Sequence, residues 1–492
     1  MKRTLILFLS AIIMTSAFTG CTNGSKVSSE KPTTSVAFGS PDKPVKVSIM
    51  IKDVKPTEED VKLLEAKIEK GMAAEKKYVD IVFLESPTGA YGEAVPLAFR
   101  TGQISPDLLY FQGGDQPIAN EGLLEKLTPY IAGSTNVKNL MEDHNKQAMK
   151  NYPYLLWLSP ARVSTPVMRK DIFDKLDSSK ALLADPTPDN YYKMFKEVVD
   201  KKLAKYAITA GGSLTMLDFV FNQAFGVTSS ILQVDGKWQF AKATNFEKNK
   251  LQFYAKLYKD GLIDKEYITK KWDTMEKAFY GGDAAFVAGS AGKTIDIYNN
   301  KMVQTKGAAA ELVVLPPAKG IGFAYQAIDV TKEPRGFALN AKSKVKAEAF
   351  AVLDFMAGPE GMKLDLLGIE DVHYKVAGDK IVYTDKFPEW WPRFFETSNT
   401  FAPKPALEKP IMTAPAMKSL EMAKQYYKED TNILMPEEYL PQWDAMNALY
   451  KEYSVDIIRG VKPVSSFDEF VTKWNAAGGT EINAFLQKKY TK

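Results

Sequence analysis

The sequence VKVSIMI at residues 45–51 decides the fold, because its β-branched and apolar residues predict the first strand of a sheet. Apolar residues at helical spacing follow across 61–72, and a second strand is predicted at 79–84. A helix at 96–100 and a third strand at 107–111 continue the order. Strands and helices that alternate in this way predict an α/β fold with a parallel sheet.

The same alternation extends through the middle of the chain. Helices are predicted at 189–199 and 245–259, and a strand at 284–287. The length of 492 residues favours two or three domains. Ligands of such sheets bind beyond the carboxyl ends of the strands. Three loops are therefore expected to border a binding site: 52–56, 85–92 and 112–116.

The composition excludes several classes of function. A formal net charge of +4 without a concentrated basic face argues against nucleic acid as a ligand. The single cysteine, Cys21, excludes an intramolecular disulfide and a cysteine-ligated zinc site. Only two histidines occur, His144 and His373, and they have no metal-binding spacing. We therefore expect neither a metal nor another cofactor.

The first twenty residues have the pattern of an export signal. A positively charged head at 2–3 precedes an apolar run at 4–18, followed by Thr19-Gly20-Cys21. This pattern is similar to a bacterial lipoprotein signal, although Phe18 stands where leucine is commonest. We predict a lipoprotein signal peptide at 1–20 and lipidation of Cys21. The alternative is an ordinary cleaved signal with an incidental cysteine.

Residues 21–44 form a separate compositional segment. They are rich in Ser, Thr, Gly and Pro and almost free of large apolar side chains. Such a segment buries too little surface to offset the entropy of ordering, so we predict a flexible linker. Together with the lipid, it would hold the protein at the extracellular face of the cell membrane.

Motifs spread over residues 45–490 resemble those of bacterial extracellular solute-binding proteins of family 1. This is the maltose-binding-like group that serves ABC importers. Each motif is weak alone, and their number and order carry the resemblance. The motifs are SPDLL at 105–109, GLLEKL at 122–127, MRKDIF at 168–173, DPTP at 185–188, YKDGLID at 258–264, FYGGDAAF at 279–286, GIEDVHY at 368–374 and WNAAGG at 474–479.

The resemblance implies a periplasmic-binding-protein-like fold, with two α/β lobes joined by a hinge and a ligand cleft between them. We expect lobe 1 to comprise 45–158 plus 332–400, and lobe 2 to comprise 163–328 plus 401–492. The resemblance further implies a monomeric binding protein rather than an enzyme. It would capture a carbohydrate, in particular an oligosaccharide, by hinge closure and deliver it to ABC permease subunits.

Sugars need flat apolar faces for their C–H surfaces, so aromatic residues near the expected cleft are candidate ligands. Trp157 lies near the first crossing between the lobes, and its alternative role is packing at the hinge. Trp272 precedes a predicted helix, and its alternative is packing on the surface. Trp390 neighbours a second tryptophan between two prolines, and one of the two indoles is expected at the cleft. Tyr91 lies in the loop after the second strand.

Five polar residues complete the candidate set. Gln112 and Asp115 follow the third strand beside two glycines, and the alternative for Asp115 is a turn or a helix cap. Ser213 and Ser290 adjoin glycines that would bring backbone N–H groups to a ligand. Arg335 precedes the strand that re-enters lobe 1, and its alternative is an ion pair between the lobes.

Three rival functions remain open at this level. A surface glycosidase or lyase would share a sugar-shaped cleft and would need a pair of carboxylates, whose separation the sequence does not give. A binding protein for a peptide or another small solute would share the fold. A sensor would present its ligand to a membrane kinase instead of a transporter.

Overall fold

The computed structural model describes residues 38–491, except 328–334, Asn432 and Leu434. The predicted signal peptide, Cys21 and the linker as far as residue 37 lie outside the described residues. Residues 38–44 form a turn that two backbone hydrogen bonds between Ser40 and Lys43 close, at 3.0 and 3.1 Å. Hydrogen-bonded structure therefore begins before the first strand.

The strands of the described part alternate with helices through most of the chain. In order they are β1 (Val45–Met50), β2 (Val79–Phe83), β3 (Leu108–Gln112), β4 (Ser164–Arg169), β5 (Tyr206–Ile208), β6 (Ile231–Val234), β7 (Lys237–Phe240), β8 (Ala284–Ser290), β9 (Leu312–Val314), β10 (Tyr325–Gln326), β11 (Arg335–Leu339), β12 (Tyr374–Ala377), β13 (Lys380–Tyr383), β14 (Ala406–Leu407) and β15 (Tyr427–Lys428).

The helices flank the sheets and dominate the end of the chain. In order they are α1 (Glu59–Ala74), α2 (Tyr91–Arg100), α3 (Asp115–Asn120), α4 (Thr128–Gly133), α5 (Asn136–Leu140), α6 (Asp143–Asn151), α7 (Lys170–Phe173), α8 (Ser179–Ala184), α9 (Pro188–Asp200), α10 (Thr215–Phe221), α11 (Asn245–Lys259), α12 (Trp272–Gly281), α13 (Lys293–Lys306), α14 (Lys346–Met356), α15 (Pro359–Leu367), α16 (Ala414–Tyr426), α17 (Leu440–Ile458), α18 (Ser466–Trp474) and α19 (Thr480–Tyr490).

The first sheet has the strand order β11-β3-β1-β2. Strand β1 runs parallel to β2 and β3, while β11 adds to β3 in the antiparallel direction. The α/β class predicted from the first strands is therefore confirmed. The helix expected at 96–100 is longer than predicted and begins at Tyr91. A side chain at Gly92 would come within 2.7 Å of the Gln112 carbonyl oxygen, so this glycine allows α2 to approach the end of β3.

The second sheet has the order β5-β8-β4-β9 and is mixed. Strand β8 runs parallel to β5, and β4 runs antiparallel to both β8 and β9. The helix predicted at 245–259 is α11, with the same bounds. The strand predicted at 284–287 extends three residues further, so that Ser290 ends β8.

The chain passes between the two sheets along neighbouring segments. Leu156, before β4, pairs with Phe337 of β11 through two backbone hydrogen bonds of 2.8 and 2.9 Å. Val163 then bridges to Ala327 beside the second sheet. Further along the chain, the Glu396 N–H donates to the Leu158 carbonyl at 2.9 Å. These crossings bring residues that are distant in sequence to one line between the sheets.

Each sheet has its own apolar core. The buried residues around the first sheet come from 47–158 and 337–395. Those around the second sheet come from 163–325 and from the tail at 422–486. Strand β14 pairs with β13, which places Ala406–Leu407 beside the first group of elements. Among the described residues, no helix combines the length and apolar character needed to cross a bilayer.

A buried charge cluster holds α11 against its neighbours. Lys250 is 2% exposed, and its Nζ lies 2.8 Å from Asp218 Oδ1 and 3.0 Å from Glu247 Oε2. Tyr450 of α17 donates to Glu247 at 2.5 Å, and Tyr254 donates to Asp218 at 3.0 Å. The cluster therefore joins α10, α11 and α17, and removal of Lys250 would take away the cation that pairs with both carboxylates.

Replacing this cation should destabilise the protein far more than replacing a neighbouring surface lysine. We expect Lys250→Met to lower the free energy of unfolding by about 3–5 kcal/mol, because it leaves unpaired acids in the core. Lys248→Met, in the same helix, removes a pair with the exposed Asp468 and should cost about 1 kcal/mol or less. Urea titration at pH 7 measures both. Equal losses would contradict the proposed role of the cluster.

Candidate functional site

A cavity of about 470 Å³, the central pocket, lies beside the crossing segments. Its walls come from the ends of β1 and β3, the crossing at Trp157, the start of α13 and the loop at 390–396. The chemistry-bearing residues that line it are Lys52, Asp53, Tyr110, Gln112, Trp157, Lys293, Asp296, Arg335, Trp390, Trp391, Arg393, Glu396 and Ser398. It therefore brings together four of the predicted site residues: Gln112, Trp157, Arg335 and Trp390.

Trp157 lines the central pocket as part of an aromatic group. Its ring lies 5.3 Å from the Tyr110 ring and is stacked on Phe337 at 6.5 Å and 27°. The indole Nε1 is buried and has no hydrogen-bond partner among the described residues. A buried donor without an acceptor is costly, so a ligand oxygen at this position would gain a hydrogen bond.

Trp390 and Trp391 both contact the side chain of Arg393. The guanidinium carbon lies 4.3 Å from the centre of the Trp390 ring and 4.4 Å from that of Trp391. Of the two indoles, Trp390 is buried and its Nε1 donates to the Asp365 carbonyl at 2.7 Å, whereas Trp391 is half-buried. Both reach the pocket wall because this segment is an irregular loop rather than a strand.

Asp365 holds this loop from behind. Its carboxylate accepts the backbone N–H groups of three consecutive residues, with Oδ1 at 2.7 Å from Arg393 N and at 3.2 Å from Phe394 N, and Oδ2 at 3.3 Å from Phe395 N. Burial raises the pKa of Asp365 to about 6, against the opposing effect of these hydrogen bonds. An ionised carboxylate is therefore kept in the core at a cost to stability.

Gly368 and His373 pack behind Trp390. A side chain at Gly368, whose φ is +80°, would come within 2.8 Å of the Trp390 ring and 2.7 Å of His373 Nδ1. His373 is 1% exposed, and its Nδ1 accepts the Ile369 N–H at 3.0 Å. This histidine supports the wall of the pocket and does not line it.

A second cavity of about 320 Å³, the side pocket, collects three more predicted residues. Ser213, Trp272 and Ser290 line it with Thr215 and Met275. Trp272 begins α12, is 52% exposed and is stacked on Tyr298 at 5.8 Å and 27°. Since Ser290 lines the side pocket and Ala291, the next residue, lines the central pocket, the two cavities adjoin.

Tyr91 and Asp115 line neither pocket. Tyr91 starts α2 rather than lying in a loop, and its hydroxyl donates to the Tyr110 carbonyl at 2.7 Å inside the first core. Asp115 starts α3 with no exposed surface and accepts from the Tyr152 hydroxyl at 2.5 Å. Burial raises the pKa of Asp115. Both side chains support elements next to the central pocket.

Sequence reasoning missed residues whose position depends on other segments. Tyr110 lies within the third strand, where no local feature separates a pocket residue from a core residue. Arg393 follows the two tryptophans and lines the pocket in contact with both of their rings, and the sequence does not indicate this contact. Lys293 follows the glycines at 289 and 292, which already suggested an exposed backbone at this point. Within the described ranges, no group of three or more His, Cys, Asp or Glu is placed to hold a metal ion.

The two sheets, the crossings between them and the pocket beside these crossings define a periplasmic-binding-protein-like fold. The family model described as bacterial extracellular solute-binding protein matches residues 55–363, and the chain belongs to this family. No curated protein matches the chain by sequence.

Solved structures of solute-binding proteins share the fold. A crystal structure of the alginate-binding protein AlgQ2 without calcium ion is 18% identical and covers 93% of this chain and 100% of that chain, with a TM-score of 0.62. The N-glycan transport protein NgtS from Streptococcus pneumoniae is 15% identical over 91% of this chain and 98% of that chain, with a TM-score of 0.64. An HMO-binding protein from Bifidobacterium longum infantis is 14% identical over 90% and 98%, with a TM-score of 0.62.

The buried Asp365 predicts a pH-dependent stability difference. Because its pKa is raised in the folded state, this residue favours folding below about pH 4 and opposes it above about pH 6. The stability of the wild type relative to Asp365→Asn should thus fall by about 2 kcal/mol between pH 4.5 and 7.5. Urea titrations at four pH values across this interval measure the difference.

Glu197 provides the control for the sign of this effect. Although burial acts in the opposite direction, hydrogen bonds from Lys201 and Ser178 lower its pKa to about 2. The stability that ionised Glu197 contributes to the folded protein is therefore complete above about pH 4.5 and is lost only in more acidic solution. The difference between wild type and Glu197→Gln should stay constant from pH 5.5 to 7.5. If the stability difference between wild type and Asp365→Asn stays constant over pH 4.5–7.5, the pKa of Asp365 is not raised in the folded protein.

Proposed function

We propose that this extracellular solute-binding protein captures a carbohydrate, in particular an oligosaccharide, for an ABC importer. One observation carries the proposal: the central pocket combines a stacked indole at Trp157, whose N–H has no partner among the described residues, with polar side chains on the surrounding walls. Sugars present C–H faces and hydroxyl groups together, and this pairing of an aromatic face with donors and acceptors suits both. The adjoining side pocket, with the exposed Trp272, offers room for a further sugar unit.

The likeness to carbohydrate-binding structures supports this choice of solute. Of the three neighbours, one is an alginate-binding protein, one is an HMO-binding protein and one is an N-glycan transport protein. At 14–18% identity they share the fold with this chain, and the choice of solute rests on the pocket residues. The rival enzyme would need a pair of carboxylates about a sugar bond, and one of the pocket carboxylates, Asp296, accepts from Thr413 N at 2.6 Å and Asn300 at 3.2 Å.

Capture would proceed by closure of two lobes around the solute. We propose the division into 45–158 plus 332–400 and 163–328 plus 401–492, and two observations support it. The two apolar cores draw on nearly the same ranges, except that Ala406–Leu407 pairs with β13 of the first group. The central pocket takes wall residues from both groups, including Trp157 and Lys293. A solute that touches both walls binds the closed state more tightly and shifts the population towards it.

The membrane attachment completes the proposal. We propose that Cys21 carries a lipid after removal of residues 1–20, and that the chain from 21 onward tethers a monomer at the extracellular face of the membrane, near the permease. The basis is the sequence pattern of the first twenty residues. Mass spectrometry of the membrane-extracted protein should detect a lipid-modified N-terminal peptide. An unmodified Cys21, or an intact signal, would contradict this part of the proposal.

A thermal-shift screen tests the class of solute. The folded protein should melt at a higher temperature with the right oligosaccharide, because a ligand that binds only the native state stabilises it. The screen compares neutral and acidic oligosaccharides with peptides. Stabilisation by peptides alone, or cleavage of a sugar during incubation, would favour the corresponding rival.

Substitution of the tryptophans tests the site. Trp272→Ala should weaken binding of a stabilising oligosaccharide about tenfold, close to the 1–1.5 kcal/mol of a lost aromatic contact, without a large change in melting temperature. Trp157→Phe keeps a ring and removes the unpartnered N–H, and should weaken binding by a similar factor. Isothermal titration calorimetry measures both.

Trp238→Ala is the matched control. The Trp238 ring contacts the Tyr490 ring at 5.1 Å and lines neither pocket, so its replacement should leave affinity unchanged. Wild-type affinity in both Trp157→Phe and Trp272→Ala would exclude these indoles from the solute site.

A further inference from the structure

The central pocket contains a buried guanidinium that lacks an acidic partner. Arg393 is 5% exposed and lines the pocket. Its Nη1 donates to the Trp391 carbonyl at 2.9 Å, and its Nε is buried without a hydrogen-bond partner. Among the described residues, no carboxylate forms an ion pair with this side chain, although Asp365, Asp60 and Glu58 are close enough to act on its charge. Burial lowers the pKa of Arg393, which reflects the loss of water around the charge.

Of the guanidinium nitrogens of Arg393, Nε is enclosed and Nη1 is bonded to the Trp391 carbonyl, so Nη2 is the one left for a ligand. The Trp390 and Trp391 rings lie close to the guanidinium carbon, at 4.3 and 4.4 Å. Asp365, Asp60 and Glu58 act on its charge from beyond ion-pair distance, and the Asp365 oxygens are engaged by the backbone N–H groups of residues 393–395. A ligand carboxylate at Nη2 would form a charge-assisted hydrogen bond with the guanidinium.

A second positive feature lies in the wall of the same pocket. Helix α13 has fourteen residues and begins at Lys293, whose exposed side chain lines the cavity. The N–H groups of its first turn have no acceptor within the helix and carry partial positive charge. Asp296, in this turn, has its carboxylate oxygens occupied by Thr413 and Asn300. Nearby, Lys52 and Asp53 pair with each other at 3.7 Å.

We propose that the solute is an acidic oligosaccharide, whose carboxylate pairs with Arg393 in the central pocket near the start of α13. This inference rests on the proposed function and narrows the class of carbohydrate. A buried charge without a counter-ion is unfavourable, and an anionic group on the solute would supply the missing partner at the moment of binding. Neutral sugars would leave the guanidinium unpaired and should bind more weakly.

Matched pairs of saccharides test this proposal on the full mature chain. The probes are the α-1,4 trisaccharide of galacturonate with α-1,4-galactotriose, and the β-1,4 trisaccharide of mannuronate with β-1,4-mannotriose. Within each pair, a carboxylate replaces a hydroxymethyl group. Calorimetry at 25 mM NaCl should give at least tenfold tighter binding for the acidic member of one pair, with a smaller preference at 200 mM NaCl because salt screens the charges.

Variants assign the preference to a residue. Arg393→Gln should reduce the preference for the acidic member to about twofold or less. Arg100→Gln, which removes a surface cation that pairs with Glu121 on α2 and α3, should retain it in full. Lys293→Gln changes an exposed side chain and should fold normally. Its affinity for the acidic member should fall several-fold, with no change for the neutral member. This variant therefore tests the proposal even if Arg393→Gln does not fold.

The outcomes separate this inference from the proposed function. Equal or tighter binding of the neutral members would overturn the acidic solute and leave carbohydrate capture intact. Absence of binding by all four probes, with stabilisation by peptides alone in the thermal-shift screen, would overturn both. An acidic preference that persists unchanged in Arg393→Gln and Lys293→Gln would exclude the assigned residues.

Discussion

The hydrogen bonds among the crossing segments set the geometry of the whole site. Leu156 and Phe337 exchange two backbone hydrogen bonds. Two residues after Leu156, the Leu158 carbonyl accepts the N–H of Glu396. Since side chains alternate along an extended chain, Leu156 and Leu158 are buried while Trp157 turns towards the pocket. The same bonds that join the sheets therefore aim the indole, and Glu396 brings the Trp390–Phe395 loop to its side.

Several polar groups around the central pocket are buried without full compensation. The core keeps an ionised Asp365 at a cost in stability, and in return three backbone N–H groups of the pocket wall are fixed. The Trp157 indole N–H and the Arg393 Nε remain unsatisfied in the same cavity. Binding sites often tolerate such unsatisfied groups because the ligand supplies the missing partners.

Sequence patterns predicted the elements well where the pattern was long. The helix at 245–259 has the predicted bounds, and the first three strands are correct within a residue or two, because amphipathic spacing and β-branched runs are local signals. The start of α2 at Tyr91 was missed, since a loop with glycines and a proline does not display a helical pattern. Seven of the nine predicted site residues line a cavity, divided between the central and the side pocket. Tyr91 and Asp115 do not, because burial on the core side is decided by distant packing.

The sequence by itself determined the α/β class, the order of the elements and the resemblance to solute-binding proteins, because these depend on residues near one another in the chain. Only the tertiary structure decided that Trp157, Lys293 and Arg393 share one cavity, since they come from three segments more than ninety residues apart. It also decided which polar groups lack partners, such as the Trp157 N–H and the Arg393 Nε. Hydrogen-bond satisfaction depends on every neighbour in space, and a linear pattern contains no record of those neighbours.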